Sequence, residues 1–163
     1  ASPVRNPSGG SDVLFTKRSE RLREELIGLM FAFSRVRSLR SGISDEMILH
    51  FLEKHPLYFF IVQAGSDGNP LDLIEEKELK TVAGRLLFRI LDGPDFSALE
   101  DEERVEKAVQ VAERLLIDLK REVIRGEELV RLELALKTAR QEGQREKEKE
   151  LLARFVLLSR ENR

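Results

Sequence analysis

Residues able to do chemistry are scarce in this chain. It carries two histidines and no cysteine. His50 and His55 are five residues apart and do not share a helix face. Without cysteine there is neither a disulfide nor a thiolate metal site. No H-E-x-x-H zinc motif, Walker loop or G-x-G-x-x-G turn occurs. Gly65-Ser66-Asp67-Gly68 has the glycines of a phosphate loop but no lysine after it and no strand before it, so it reads as a turn. Carboxylates are plentiful but alternate with cations, as in Glu146, Lys147, Glu148, Lys149 and Glu150, the pattern of a solvated helix end. These residues predict no catalytic group, metal or cofactor.

Two basic clusters could meet nucleic acid: Lys17, Arg18, Arg21 and Arg23, and then Arg35, Arg37 and Arg40. No aromatic platform is interleaved with either. The 28 Lys and Arg balance 30 Asp and Glu, a formal net charge of -2. That balance gives no global attraction to polyanions or to anionic membranes. No apolar run approaches the roughly 18 residues of a membrane span. The N-terminus lacks a basic-then-apolar signal pattern. The expected partner is another protein, in the cytoplasm.

The elements that present such a surface are helical. With 163 residues, 41% hydrophobic and 36% charged, the chain can build one modest core. Residues 1–11, with Pro3, Pro7, Gly9 and Gly10, read either as a flexible linker of a domain cut from a longer polypeptide or as the disordered tail of a complete protein. A helical bundle is expected over 12–125 and a helical hairpin over 126–163. Leu22, Leu26, Leu29, Phe33 and Val36 trace one helix face from Asp12 to a stop at Gly42. Ser44 is the expected N-cap of a helix carrying Met47, Ile48, Phe51 and Leu52. Pro56 breaks it and can start the next. The apolar run Leu57–Val62 is assigned to a helix, since no second strand exists to pair with it. A further helix carries Leu79, Val82, Leu86, Leu87, Ile90 and Leu91, stopped by Gly93-Pro94.

A long helix is expected from about Glu103 to Glu142, unbroken at Gly126. The stripe Ala112, Leu116, Leu119, Val123, Val130 and Leu134 keeps its register across that glycine. A mid-helix glycine costs only about 1 kcal/mol. A second face holds Ile117, Ile124, Leu132, Ala135 and Ala139, edged by Leu129 and Leu136. After a turn at Gly143-Gln144, a last helix follows from Arg145 to Ser159, antiparallel to the first. Its apolar residues Leu151, Leu152, Phe155, Val156 and Leu158 span an arc of roughly 160°, beyond the ~100° of an ordinary surface helix. The fold class predicted is all-α: a bundle, a long helix and a C-terminal antiparallel hairpin. The surplus apolar arc makes Leu151, Leu152, Phe155 and Leu158 candidate partner contacts, with Arg154 and Arg160 as a polar rim.

Beyond these patterns, the stretch Glu113–Asn162, ERLLIDLKREVIRGEELVRLELALKTARQEGQREKEKELLARFVLLSREN, resembles the C-terminal helicase-binding domain of bacterial replicative DNA primases. The likeness lies in the Glu142-Gly143 turn, the Glu150-Leu151-Leu152 start and the leucine-rich end. Upstream, Leu49, Leu52, His55 and Pro56 of ILHFLEKHPLYFFIV are similar to that family's helix end, while LREELIGLMF is a rival for its first helix. The segment Arg35–Arg40 and the loop 66–70 have no counterpart there. The resemblance implies a non-catalytic fragment of a primer-synthesising polymerase, active at the replication fork. It implies docking on the N-terminal domains of the hexameric replicative helicase. In some relatives the domain also holds the tail of single-stranded-DNA-binding protein. The rival readings are a generic helical adaptor that oligomerises through its hairpin, and a small nucleic-acid-binding domain using the basic first helix.

Overall fold

The structure, a computed structural model, describes residues 16–160. The linker expected over 1–11 and the helix start expected at Asp12 lie outside the described residues. Among the described residues every regular element is helical, so the fold is all-α. In chain order they are α1 (Lys17–Ala32), α2 (Ser34–Ser38), a 3-10 turn (Leu39–Gly42), α3 (Glu46–Glu53), α4 (Tyr58–Ala64), a second 3-10 turn (Pro70–Leu73), α5 (Lys77–Leu91), α6 (Asp101–Gln141) and α7 (Arg145–Arg160). The chain divides into two compact units: Glu20–Lys120, and the residues up to Ser19 together with those from Arg121 onward.

The first unit is a bundle whose core includes Leu26, Ile27, Met30, Leu52, Leu57 and Ile61. Tyr58 is buried there, and Phe33 meets Phe96 with ring centroids 5.8 Å apart. Helices α1 and α5 approach closely at Gly28, where a Cβ would fall 1.9 Å from Ile90 Cδ1 and 3.1 Å from Leu86 Cγ. The single helical segment expected up to Gly42 is interrupted. Phe33 takes an extended conformation, φ -126° and ψ 118°, which ends α1 and turns its ring into the core. Gly42 does end the 3-10 turn that follows. The cap of α3 is Asp45 rather than Ser44. Its carboxylate accepts from the backbone N–H of Met47 at 2.9 Å and of Ile48 at 3.4 Å, satisfying two donors that a helix start leaves open. The run Leu57–Val62 is helical, as its lack of a pairing strand requires. After α5, Arg104 reaches back to hold the connector. Its Nε donates to the carbonyls of Phe96 and Leu99, each at 2.9 Å.

The second unit is a hairpin. Helix α6 runs through Gly126 without a break. The turn at its end is set by Gly143, whose φ of 69° suits a residue without Cβ. Gln144 N–H donates to Ala139 O at 2.9 Å and Gly143 N–H to Arg140 O at 3.3 Å, the paired bonds of a Schellman ending. Two ion pairs fix the antiparallel sense. Arg140 Nε meets Glu148 Oε1 at 2.7 Å near the turn, and Glu128 Oε1 meets Arg154 Nη2 at 3.8 Å farther from it. The faces expected on α6 are redistributed. Ala112, Leu119 and Val123 are buried, but Leu134 of the same stripe is 49% exposed. On the second face Leu132, Leu136 and Ala139 are buried, whereas Ile117 and Ile124 lie open. Spacings of four and three from Leu132 keep these residues on the side that the hairpin covers.

Candidate functional site

The surplus apolar surface of α7 survives folding. No residue of this helix is fully buried. Its sequence divides the side chains into two strips. Leu151, Phe155 and Leu158, at spacings of four and three, are half-buried. Leu152 and Val156 stand one turn apart and are 44% and 39% exposed, while Leu157 is 63% exposed. Arg154 is exposed and pairs with Glu128; Arg160 is exposed at the end of the helix. Of the six residues singled out from the sequence, Leu152, Arg154 and Arg160 therefore face solvent. Leu151, Phe155 and Leu158 give part of their surface to the hairpin. Val156 and Leu157 complete the open strip. Val156 had been counted in the apolar arc, but Leu157 had not, because its position falls outside that arc.

Three cations of the basic clusters, Arg18, Arg23 and Arg37, are engaged within the protein. Arg23 lies over the Phe51 ring, 4.4 Å from its centroid, and donates from Nη1 to Phe51 O at 3.2 Å. Arg18 Nη1 is 3.5 Å from the Oε1 of Glu122, a buried carboxylate that also accepts from Arg125. Thr16 closes the start of α1 over this group. Its Oγ1 accepts from Ser19 N–H at 3.2 Å, while Ser19 Oγ accepts from Thr16 N–H at the same distance. Arg37 is the most heavily used. Its Nε donates to Gly65 O and its Nη2 to Gly68 O, both at 2.8 Å, and its Nη1 serves Met30 O at 3.3 Å and Phe31 O at 3.2 Å. One guanidinium thus satisfies carbonyls at the end of α1 and fastens the loop after α4. Burial pushes its pKa down from the ordinary arginine value. Its place in an R-x-R-x-x-R run suggested a surface cation; only the packing of Phe33 and the loop distinguishes it from its neighbours.

His55 is also occupied at both ring nitrogens. Nε2 lies 2.7 Å from Glu24 Oε2, and Nδ1 accepts the Leu57 N–H at 3.1 Å. An acceptor at Nδ1 places the neutral ring's proton on Nε2, which donates to Glu24. Burial lowers the His55 pKa, and the Glu24 carboxylate opposes that shift only in part. His50, on the other side of α3, is exposed. Among the described residues no group of three His, Asp or Glu side chains is placed to hold a metal ion. No helix there is long and apolar enough to cross a membrane. No family model matches the chain, and neither curated proteins nor solved structures yield a match.

Proposed function

We propose that this chain is a protein-docking module, the helicase-binding part of a bacterial replicative primase, which couples primer synthesis to unwinding at the fork. The observation that carries the reading is α7: a helix with no buried residue that presents Leu152, Val156 and Leu157 to solvent amid charged side chains. An apolar strip on a helical hairpin suits a partner that contributes its own apolar groove or helix face. The resemblance of Glu113–Asn162 supplies the identity of that partner, the N-terminal domains of the replicative helicase hexamer. The chain itself makes no primer and hydrolyses no nucleotide in this reading. Primer synthesis by the purified chain would refute that part.

The docking test is a pair of variants. Leu152→Ser with Leu157→Ser removes the open strip while sparing the half-buried one. It should weaken binding to a replicative helicase hexamer by about 30-fold or more, the effect of losing an anchor worth about 2 kcal/mol. Helix content and melting should stay as in the parent. Phe155→Ala with Leu158→Ala should loosen the hairpin itself, seen as lower helix content, before any effect on binding is read. Full binding after deletion of α7 would remove the site from the hairpin. A dimer in sedimentation that the Leu152→Ser, Leu157→Ser pair abolishes, without helicase binding by the parent, would favour the oligomerising adaptor.

A further inference from the structure

The bundle contains a cavity that the docking role does not use. It holds about 180 Å³ and opens to solvent between the Ser34–Gly42 segment and the loop after α4. Arg37 and Arg40 line it, with Ser38, Ser41 and Ser66 around them and Ile61 beneath. Among the described residues no aspartate or glutamate lines it.

Two features of this lining bear on charge. Arg37 is held by four carbonyl oxygens and, among the described residues, by no carboxylate. Carbonyl dipoles satisfy its donors but do not cancel its charge, so a positive potential remains in a partly desolvated place. Arg40, three residues on, is half-buried, and its side chain makes no hydrogen bond or ion pair among the described residues. Of the two cations in the lining, it is the one with free donors. Arg23 is engaged by Phe51 and Arg37 by the carbonyls, while Arg21 and Arg35 are exposed and do not line the cavity. Ser66 also presents an uncommitted hydroxyl, whereas Ser38 donates to Arg35 O at 2.6 Å and Ser41 to Ser38 O at 2.9 Å.

The geometry points to a binding site for the phosphate group of a small phosphorylated ligand in this cavity, with Arg40 and Ser66 as direct donors and Arg37 as the fixed charge behind them. A guanidinium fork matches two oxygens of a tetrahedral oxyanion, and the hydroxyls supply further donors once Ser38 or Ser41 rotates away from its carbonyl. The shared chemistry is a phosphate dianion, either inorganic or the end of a nucleotide. The cavity opens to solvent, so an ester substituent on the phosphate has room to extend outward.

Amide spectra of the full chain test this. Inorganic phosphate, adenosine monophosphate, sodium acetate and a single-stranded DNA oligomer are each titrated at constant ionic strength. The expected result is saturable shifts at Ser41, Gly65 and Ser66 with phosphate and the mononucleotide, and far weaker ones with acetate. Tighter binding of the mononucleotide than of phosphate would assign the source as a nucleotide, and equal binding as phosphate itself. Arg40→Gln should weaken the response at least ten-fold with melting unchanged, since the Arg40 side chain supports no bond among the described residues. Ser66→Ala should weaken it a few-fold. An undiminished response in Arg40→Gln would overturn the site, as would phosphate shifts that never saturate. Saturation of the same amides by the oligomer below the concentration at which the mononucleotide acts would overturn the small ligand in favour of a nucleic-acid backbone.

Discussion

The side chains that organise this molecule most strongly are polar ones placed against backbone. Arg37 is one. Truncation to Ala would leave the carbonyls of Met30, Phe31, Gly65 and Gly68 without their donor. Breaking a buried charged network typically costs about 3–5 kcal/mol, and Arg37→Ala should fall in that range in urea unfolding. Arg37→Lys should recover little of it, because a point ammonium cannot reach carbonyls spread around a planar fork. His55 gives a pH prediction. Its pKa is lowered in the fold, so the unfolded chain binds the proton more readily at mildly acid pH. The contribution of His55 is therefore whole above about pH 6.5, the unfolded value, and is lost as pH falls through the lower folded value. Denaturation midpoints at pH 7.5 and 5 should differ in the parent and differ less in His55→Gln. An equal drop in both would place the acid sensitivity elsewhere.

Among the elements, the sequence signals that worked were those with a single physical reading. Gly93-Pro94 stops α5, Gly143 reverses the chain after α6, and the solitary apolar run at Leu57 becomes α4. Those that failed depended on tertiary partners. The break at Phe33 carries no glycine or proline; it exists because Phe33 has Phe96 to meet and Arg37 has carbonyls to bind. The shift of the α3 cap from Ser44 to Asp45 is a choice between two competent side chains. Asp45→Ala should cost about 1 kcal/mol and Ser44→Ala almost nothing. The α1–α5 crossing at Gly28 gives a sharper test. Gly28→Val should destabilise by about 1–3 kcal/mol through overpacking. Ile90→Val, which removes the Cδ1 that a Cβ would strike, should relieve part of that cost in the double variant. Strictly additive losses would mean that the helices separate rather than collide.

For the molecule as a whole, the two units suggest two degrees of protection. The bundle has large side chains with almost no exposure, such as Leu26, Ile27 and Leu57, whereas α7 has none. Hydrogen exchange should be slow in α1 and α5 and fast in α7, with the amides of α7 opening well before global unfolding. Ending the chain after Glu142 should leave the exchange rates of α5 unchanged. It should also expose Leu132, Leu136 and Ala139 and so lower solubility. Faster exchange in α5 would show that the hairpin supports the bundle. The apolar excess of α7 was legible because a helix needs only one covered stripe. Which part of the excess stays open was not, since that depends on the face that α6 turns toward it. The cavity beside Arg40 was invisible for a related reason: Arg35, Arg37 and Arg40 look alike in sequence, and only the fold separates the spent cation from the free one.

The burial of Tyr58 has a practical consequence for watching this protein. It is the single tyrosine, and the chain has no tryptophan, so near-ultraviolet emission arises almost wholly from one ring inside the bundle. Among the described residues of the hairpin the sole aromatic ring is Phe155, so that unit is optically dark. A melting curve read by tyrosine emission will therefore follow the bundle, while far-ultraviolet ellipticity weighs the long helices heavily. Any gap between the two traces measures how independently the hairpin lives. Leu157→Trp would light the open strip of α7 without disturbing that native reporter.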